Sequence, residues 1–313
     1  MQYKELAFIF PAFITESSGD IFIENEKLQE RLGRYLEDPA LPDLFPGIPG
    51  FSFRGSLLPA GEPDKQAVTF LYSCAVADHF RNAGLSPEYS AGYSMGLYSA
   101  LCHAGVIGLA EGLALIRKAW EEIRNALPDT DSGMVSVVGL GKGDLELLVE
   151  KTGGRMEITN RNNPVAFIVS GSRETLAGFS EAAKQEGALH VRDMNVSFPY
   201  HSSLLRPAET PFREFVDDMT FREPAVKIVS CIDQSILDSE EKIRKELVRN
   251  LFSHLDWYRT QQFLLGSGIL LFLETGAGNY LARNAKFIDG NYRFLSSYEF
   301  MLPGRDHLKT NPI

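Results

Sequence analysis

The sequence predicts an α/β protein built on a parallel sheet, with a small second unit inserted into the first. Three observations predict it. Short, continuously apolar runs such as "LAFIF" (6–10) and "ILLFLETG" (269–276) alternate with helical spacing, the pattern of strands buried on both faces. A serine flanked by glycines, Gly92-Tyr93-Ser94-Met95-Gly96, falls where a short strand passes into a helix. Residues 131–198 run strand-helix-strand-strand-helix-strand, and the larger unit resumes only after them. The large unit is therefore expected over 1–130 and 199–313, and the insert over 131–198. At 313 residues, 44% of them hydrophobic, the chain can fill a sizeable core.

Taken in order, "LAFIF" is the first buried strand. Residues 21–37 have helical spacing with mixed charge, and 38–60 is rich in Pro and Gly and reads as loops. A helix is expected over 65–83, with Gly84 as its stop. A short strand near 89–91, the serine turn and helices over 95–103 and 109–127 follow. In the insert, "MVSVVGL" and the pair "RMEITNR" and "VAFIVSG", joined at Asn162-Asn163-Pro164, are strands. "GDLELLVEKT" and "RETLAGFSEAAKQEG" are helices, and "ALHVRDMNV" closes the unit, an order that is ferredoxin-like. "GLGKGD" (139–144) lacks phosphate-loop spacing and reads as a strand-to-helix turn. Beyond the insert, "VKIVSCI" is a strand, and "EEKIRKELVRNLF" and "NYLARNAKF" are helices.

The net charge of −10 argues against a general binder of nucleic acid or anionic membrane. Cys74, Cys102 and Cys231 are odd in number and far apart, so they are expected as buried free thiols rather than disulfides or zinc ligands. The apolar start, interrupted by Pro11, reads as a strand and not a signal peptide. No run reaches the length of a membrane span, and the default expectation is the cytoplasm.

Ser94 has the strand-turn-helix setting of a nucleophile elbow, which gives the large unit its α/β-hydrolase-like character. Such a turn exposes Oγ, and the free amides at the helix start, Met95 above all, can face an oxyanion. A serine hydroxyl also needs a base. His79 and His103 fall within helices, His190 starts a strand, His254 ends a helix and His307 lies in the polar tail. His201, in "FPYHSSLL", stands where the insert returns to the large unit, and junctions of that kind line clefts. Position alone leaves it balanced between a base and a surface turn.

At these residues the chain resembles the malonyl-CoA:acyl-carrier-protein transacylase family, which includes the acyltransferase domains of polyketide synthases. The resemblance rests on "FIFPAF" (8–13), "GYSMGLYSALCHAGVI" (92–107), "MVSVVGL" (134–140) and "NRNNPVAFIVSG" (160–171). It continues through "FPYHSSLL" (198–205), "HLDW" (254–257) and "ETGAGNYLARNAK" (274–286). It implies that Ser94 is acylated and His201 is its base. It implies an oxyanion hole of the Met95 and Phe13 amides, with Asp256 at the position whose backbone carbonyl orients the histidine. The implied substrates are an acyl-CoA donor and an acyl carrier protein acceptor, both as thioesters or thiols, with no separate cofactor. Arg283 and Lys286 are candidates for a basic rim toward phosphopantetheine, or a solvated helix face.

Four departures bear on the substrate. "FPAFI" replaces the family's FPGQG, Tyr93 replaces a histidine, and Leu97 replaces a glutamate. Ala119 stands where the family carries an arginine for the malonyl carboxylate. Arg117 and Lys118 lie about 200° and about 100° around the helix from it. The acyl pocket is therefore expected from Tyr93, Leu97, Ala119, Trp120, Phe198 and Tyr200, and an uncharged acyl group is expected to suit it better than malonyl. Three functions stay open: transfer between CoA and carrier-protein thiols, thioester hydrolysis by the same Ser–His pair, and an inactive docking homologue.

Overall fold

The computed structural model describes residues 5–13, 25–39, 41–53, 58–128 and 131–301. Its strands are β1 (Leu6–Phe10), β2 (Tyr89–Gly92), β3 (Ser132–Val138), β4 (Met156–Asn163), β5 (Ala166–Ser172), β6 (His190–Asp193), β7 (Lys227–Val229), β8 (Leu255–Asp256), β9 (Leu271–Glu274) and β10 (Arg293–Ser296). Its helices are α1 (Glu26–Leu36), α2 (Leu41–Leu44), α3 (Glu62–Asn82), α4 (Gly96–His103), α5 (Leu109–Ala126), α6 (Lys142–Glu150), α7 (Arg173–Gln185), α8 (Glu209–Asp217), α9 (Glu240–Arg249), α10 (Trp257–Gly266), α11 (Tyr280–Ala285) and α12 (Ser297–Met301). None of these helices is long and apolar enough to cross a membrane.

The fold class is the expected one. β10, β9, β1, β2 and β7 form a five-stranded sheet in that order, every pair parallel. One face meets α3, α4 and α5 through residues such as Phe8, Phe10, Val76 and Leu101. The other meets α10 and α11 through Ile9, Trp257, Leu264 and Leu281. Cover on both faces is why β1 is apolar at every position.

The second sheet has the order β6-β3-β5-β4-β8. β3 to β6 pair antiparallel, and α6 and α7 cover one face through Leu145, Leu148, Leu176 and Phe179. The alternation along β3 and β5 puts Val135, Val137, Phe167 and Val169 under those helices and leaves Met134 and Ile168 on the opposite face. The fifth strand comes from elsewhere in the chain. β8 lies beyond the insert and adds parallel to β4, Asn160 opposite Leu255 and Arg161 opposite Asp256.

Several elements differ from the sequence reading, the short β8, β10 and α12 among them. The loop region 38–60 contains the one-turn helix α2. α8 and α10 fall where the sequence suggested no element. α8 buries only Phe212 and Val216, too few positions to stand out as a period. Cys74 and Cys231 are buried free thiols, whereas Cys102 is only half-buried.

Candidate active site

The elbow is shaped by what its glycines avoid. A Cβ on Gly92 would overlap the backbone of Gly96 and Leu97, and one on Gly96 would overlap the Phe10 carbonyl. With both absent, α4 starts directly against the ends of β1 and β2. Ser94 between them is left at φ +55°, a left-handed conformation that a non-glycine residue rarely holds. Tyr93 N–H donates to Phe10 O at 2.8 Å, and Cys231 Sγ donates to Gly92 O at 3.1 Å, pinning the turn from two sides.

His201 reaches Ser94 from the other side of the cleft. Its Nε2 is 2.6 Å from Ser94 Oγ, and both residues are buried. His201 is also left-handed, at φ +64°, and its N–H donates to Leu251 O at 3.0 Å. Burial pushes its pKa down to about 3, against an upward pull from the Asn250 backbone carbonyl and with a further downward push from His254. The ring is therefore neutral near pH 7 and can take a proton.

The carbonyl acting on the ring is not that of Asp256. The Asp256 carboxylate accepts from Arg259 N at 3.0 Å and faces Arg161 at 3.8 Å, and its carbonyl accepts from Thr260 Oγ1 at 3.0 Å. Pairing of β8 with β4 carries Asp256 into a separate groove with Arg161 and His254. Asn250, the C-cap of α9, takes the position instead. Its carbonyl belongs to the helix end, where carbonyls lack intrahelical partners and the dipole favours positive charge. Its side-chain Nδ2 donates to Ser94 O at 3.2 Å, so one residue touches both members of the pair. His201 Nδ1 has no partner within hydrogen-bond geometry among the described residues. An asparagine closing a charged helix was the one signal for Asn250 in the sequence.

Ser94 and His201 open on a narrow cleft. Ala12 and Phe13, just past β1, form one edge, beside Met95 at the cap of α4. Met134, Ile168, Met194 and Val196 give an apolar wall, all from the insert. Tyr93, Tyr200, Tyr280 and Asn160 complete the lining, and among the described residues no Lys, Arg, Asp or Glu is part of it. Tyr200 donates to Glu62 Oε1 at 2.6 Å and accepts from Gln66 Nε2 at 3.3 Å.

Of the expected acyl-pocket residues, Tyr93 and Tyr200 line the cleft. Leu97, Ala119, Trp120 and Phe198 do not. Leu97 and Ala119 are buried in the core of the large unit. Trp120 lies between the guanidinium groups of Arg117 and Arg124, 5.4 and 4.7 Å from its ring centre. Phe198 packs perpendicular to Tyr200 at 6.2 Å, behind it. Arg117 and Lys118 pair with Glu121 and Glu122 on α5. Arg283, on α11, and Lys286, just past its end, are exposed.

Residues 64–254 match the family described as the acyl transferase domain. A malonyl CoA-acyl carrier protein transacylase of Bacillus subtilis is 26% identical, covering 91% of each chain. One of Salmonella typhimurium is 29% identical over 66% of this chain and 68% of its own. Among solved structures, an acyl-carrier-protein S-malonyltransferase of Burkholderia pseudomallei superposes with a TM-score of 0.83 at 27% identity, covering 94% of this chain and 96% of that one.

Proposed function

Because this chain belongs to the acyl transferase domain family, we propose that it moves an acyl group from coenzyme A to the phosphopantetheine thiol of an acyl carrier protein through an ester on Ser94. The observation that carries this is the 2.6 Å contact between Ser94 Oγ and a neutral, buried His201. In the first half-reaction Oγ attacks the thioester carbonyl as its proton passes to His201 Nε2. The negative oxygen of the tetrahedral intermediate faces the amides of Met95 and Phe13. The C–S bond breaks, the proton goes to the departing sulfur, and Ser94 is left as an ester. The second half reverses these steps: His201 takes the proton of the carrier thiol, sulfur attacks the ester, and Oγ recovers its hydrogen. The thioester substrates supply all the chemistry, so no further cofactor takes part. A cytoplasmic location is part of the same proposal.

The Asn250 carbonyl supports His201 when the ring becomes charged, in place of Asp256. The acyl group lies against Met134, Ile168, Met194 and Val196 and is uncharged. A malonyl carboxylate would enter a cleft to which no described residue contributes a cation, and an unpaired charge there costs several kcal/mol, roughly. Both relatives named above are malonyl transacylases, so the reading separates this chain from them by substrate and not by mechanism.

Intact-mass measurement on a panel of acyl-CoAs tests it, with Ser94→Ala as control. The expected result is a Ser94-dependent adduct from short uncharged acyl donors that discharges onto a carrier protein. A transient adduct with release of free acid supports hydrolysis instead. No adduct from any acyl donor, acyl carrier proteins included, supports a docking homologue. Efficient malonyl loading overturns the preference for uncharged groups.

A further inference from the structure

Tyr93 stands directly before Ser94, where the family carries a histidine, and its hydroxyl crosses from the elbow to the insert. It accepts from Asn160 Nδ2 at 2.9 Å and donates to Asn162 Oδ1 at 2.7 Å, both residues on β4. The link holds equally with both amides turned over, because a hydroxyl can give to one and accept from the other in either sense. Asn162 is tied in turn to Tyr280 OH, on α11, at 3.0 Å. The tyrosine ring is itself clamped, edge-on to Trp257 at 5.9 Å, and Tyr93, Asn160 and Asn162 are all buried. β4 is irregular at this point. Its register with β5 shifts between Ile158 and Asn160 and again between Arg161 and Asn163, so the ladder is interrupted at both asparagines.

These bonds bear on the shape of the cleft. Asn160 sits directly opposite Ile168 across β4 and β5, and Ile168 is part of the apolar wall. One tyrosine side chain therefore spans from the backbone of the reacting serine to the strand pair that carries the wall. Without the hydroxyl, buried amide atoms lose their partner, and they recover one only if β4 shifts. We infer that the Tyr93 hydroxyl is a positioning group that sets how far the wall stands from Ser94, and with that the girth of the acyl group the cleft admits. The inference rests on the acyl-transfer reading given above and adds to it the element that selects among uncharged acyl groups. Tyr93 acts here through Asn160 and Asn162 and not on the reacting atoms.

The test compares two acyl-CoA donors of equal carbon number and different girth, butyryl and isobutyryl, in wild type, Tyr93→Phe and Asn162→Ala. Asn162 is not part of the cleft lining, so a change of selectivity in Asn162→Ala comes through the wall and not through lost contact with the acyl group. Wild type is expected to load the linear donor with the higher kcat/KM. Each variant is expected to shift the linear-to-branched ratio roughly tenfold toward the branched donor. The double variant is expected to shift it no further than the larger single change, since both cut one link. Equal loading of the two donors by wild type overturns the inference. So does a lower melting temperature with the ratio unchanged in the variants, which makes the bonds structural only, and so does a double variant whose shift is the sum of the two. Where Tyr93→Phe fails to fold, the ratio in Asn162→Ala decides alone. Absence of any Ser94 adduct across the whole panel of acyl donors is the separate result that removes the acyl-transfer reading itself.

Discussion

At the scale of single residues, the site depends on a histidine kept neutral by burial. His201 in the unfolded chain titrates near its ordinary value, whereas in the folded chain it stays neutral down to about pH 3. Two consequences have definite signs. The rate of Ser94 loading, as kcat/KM, should show no inflection between about pH 5.5 and 8, because the base is already deprotonated throughout. An inflection near 6.5 would mean that the ring is solvated in the free enzyme. For stability, the unfolded state binds the proton first, so His201 costs stability progressively as pH falls from about 6.5 toward 3. Ser94 and His201 were legible in the sequence because each sits in a motif. Asn250 was not, because what it offers the ring is a backbone carbonyl, and a backbone atom leaves no mark on residue identity. Asp256 was misplaced for the same reason.

At the scale of elements, periodicity located β1 and α3 closely but missed α8 and α10. β1 spans the same residues as its apolar run, and α3 only begins earlier, at Glu62 with Pro63 in its first turn. What periodicity could not show was which element faces the cleft. The apolar wall was expected from α5, yet Ala119 and Trp120 point into the core or along the helix surface, and β3 and β5 supply Met134 and Ile168. Strand alternation gives a face, but only tertiary packing says what that face meets. A second contact between elements is also clear only in space. Glu157 on β4 ion-pairs with His254 at 2.9 Å and accepts from Ser203 N and Oγ, two residues past His201. The His254 and Ser203 contacts hold its carboxyl down at about 2, against the opposing effect of burial. The carboxyl stabilises the fold above about pH 4.5, and that contribution is lost as pH falls toward 2. Glu157→Ala should therefore loosen the segment bearing His201. A fall of roughly tenfold in loading kcat/KM at pH 7, with a lower melting temperature, is the expected outcome. Unchanged loading would show that Pro199 and the Leu251 carbonyl suffice to hold the ring.

At the scale of the whole molecule, two buried carboxylates set the response to pH. Glu246 and Glu274 are both pushed up to about 7, chiefly by burial, although Glu274 accepts from Leu281 N and Ala282 N. From about pH 4.5 to 7 the folded chain holds protons that the unfolded chain has lost, so stability falls as pH rises through that window. Each costs roughly 3 kcal/mol once pH passes 7. Melting temperature should decline as pH rises from about 4.5 to 7, and Glu246→Gln should lessen that decline. A flat profile in the wild type would show that both carboxyls are hydrated. The join between β8 and β4 has a different consequence. The small unit is joined by main-chain pairing of β4 to β8, a strand of its host, so swinging it outward as a lid would break that pairing. Cut out on its own, that unit would carry the flank of β4 bare, an invitation to pair with its own copies.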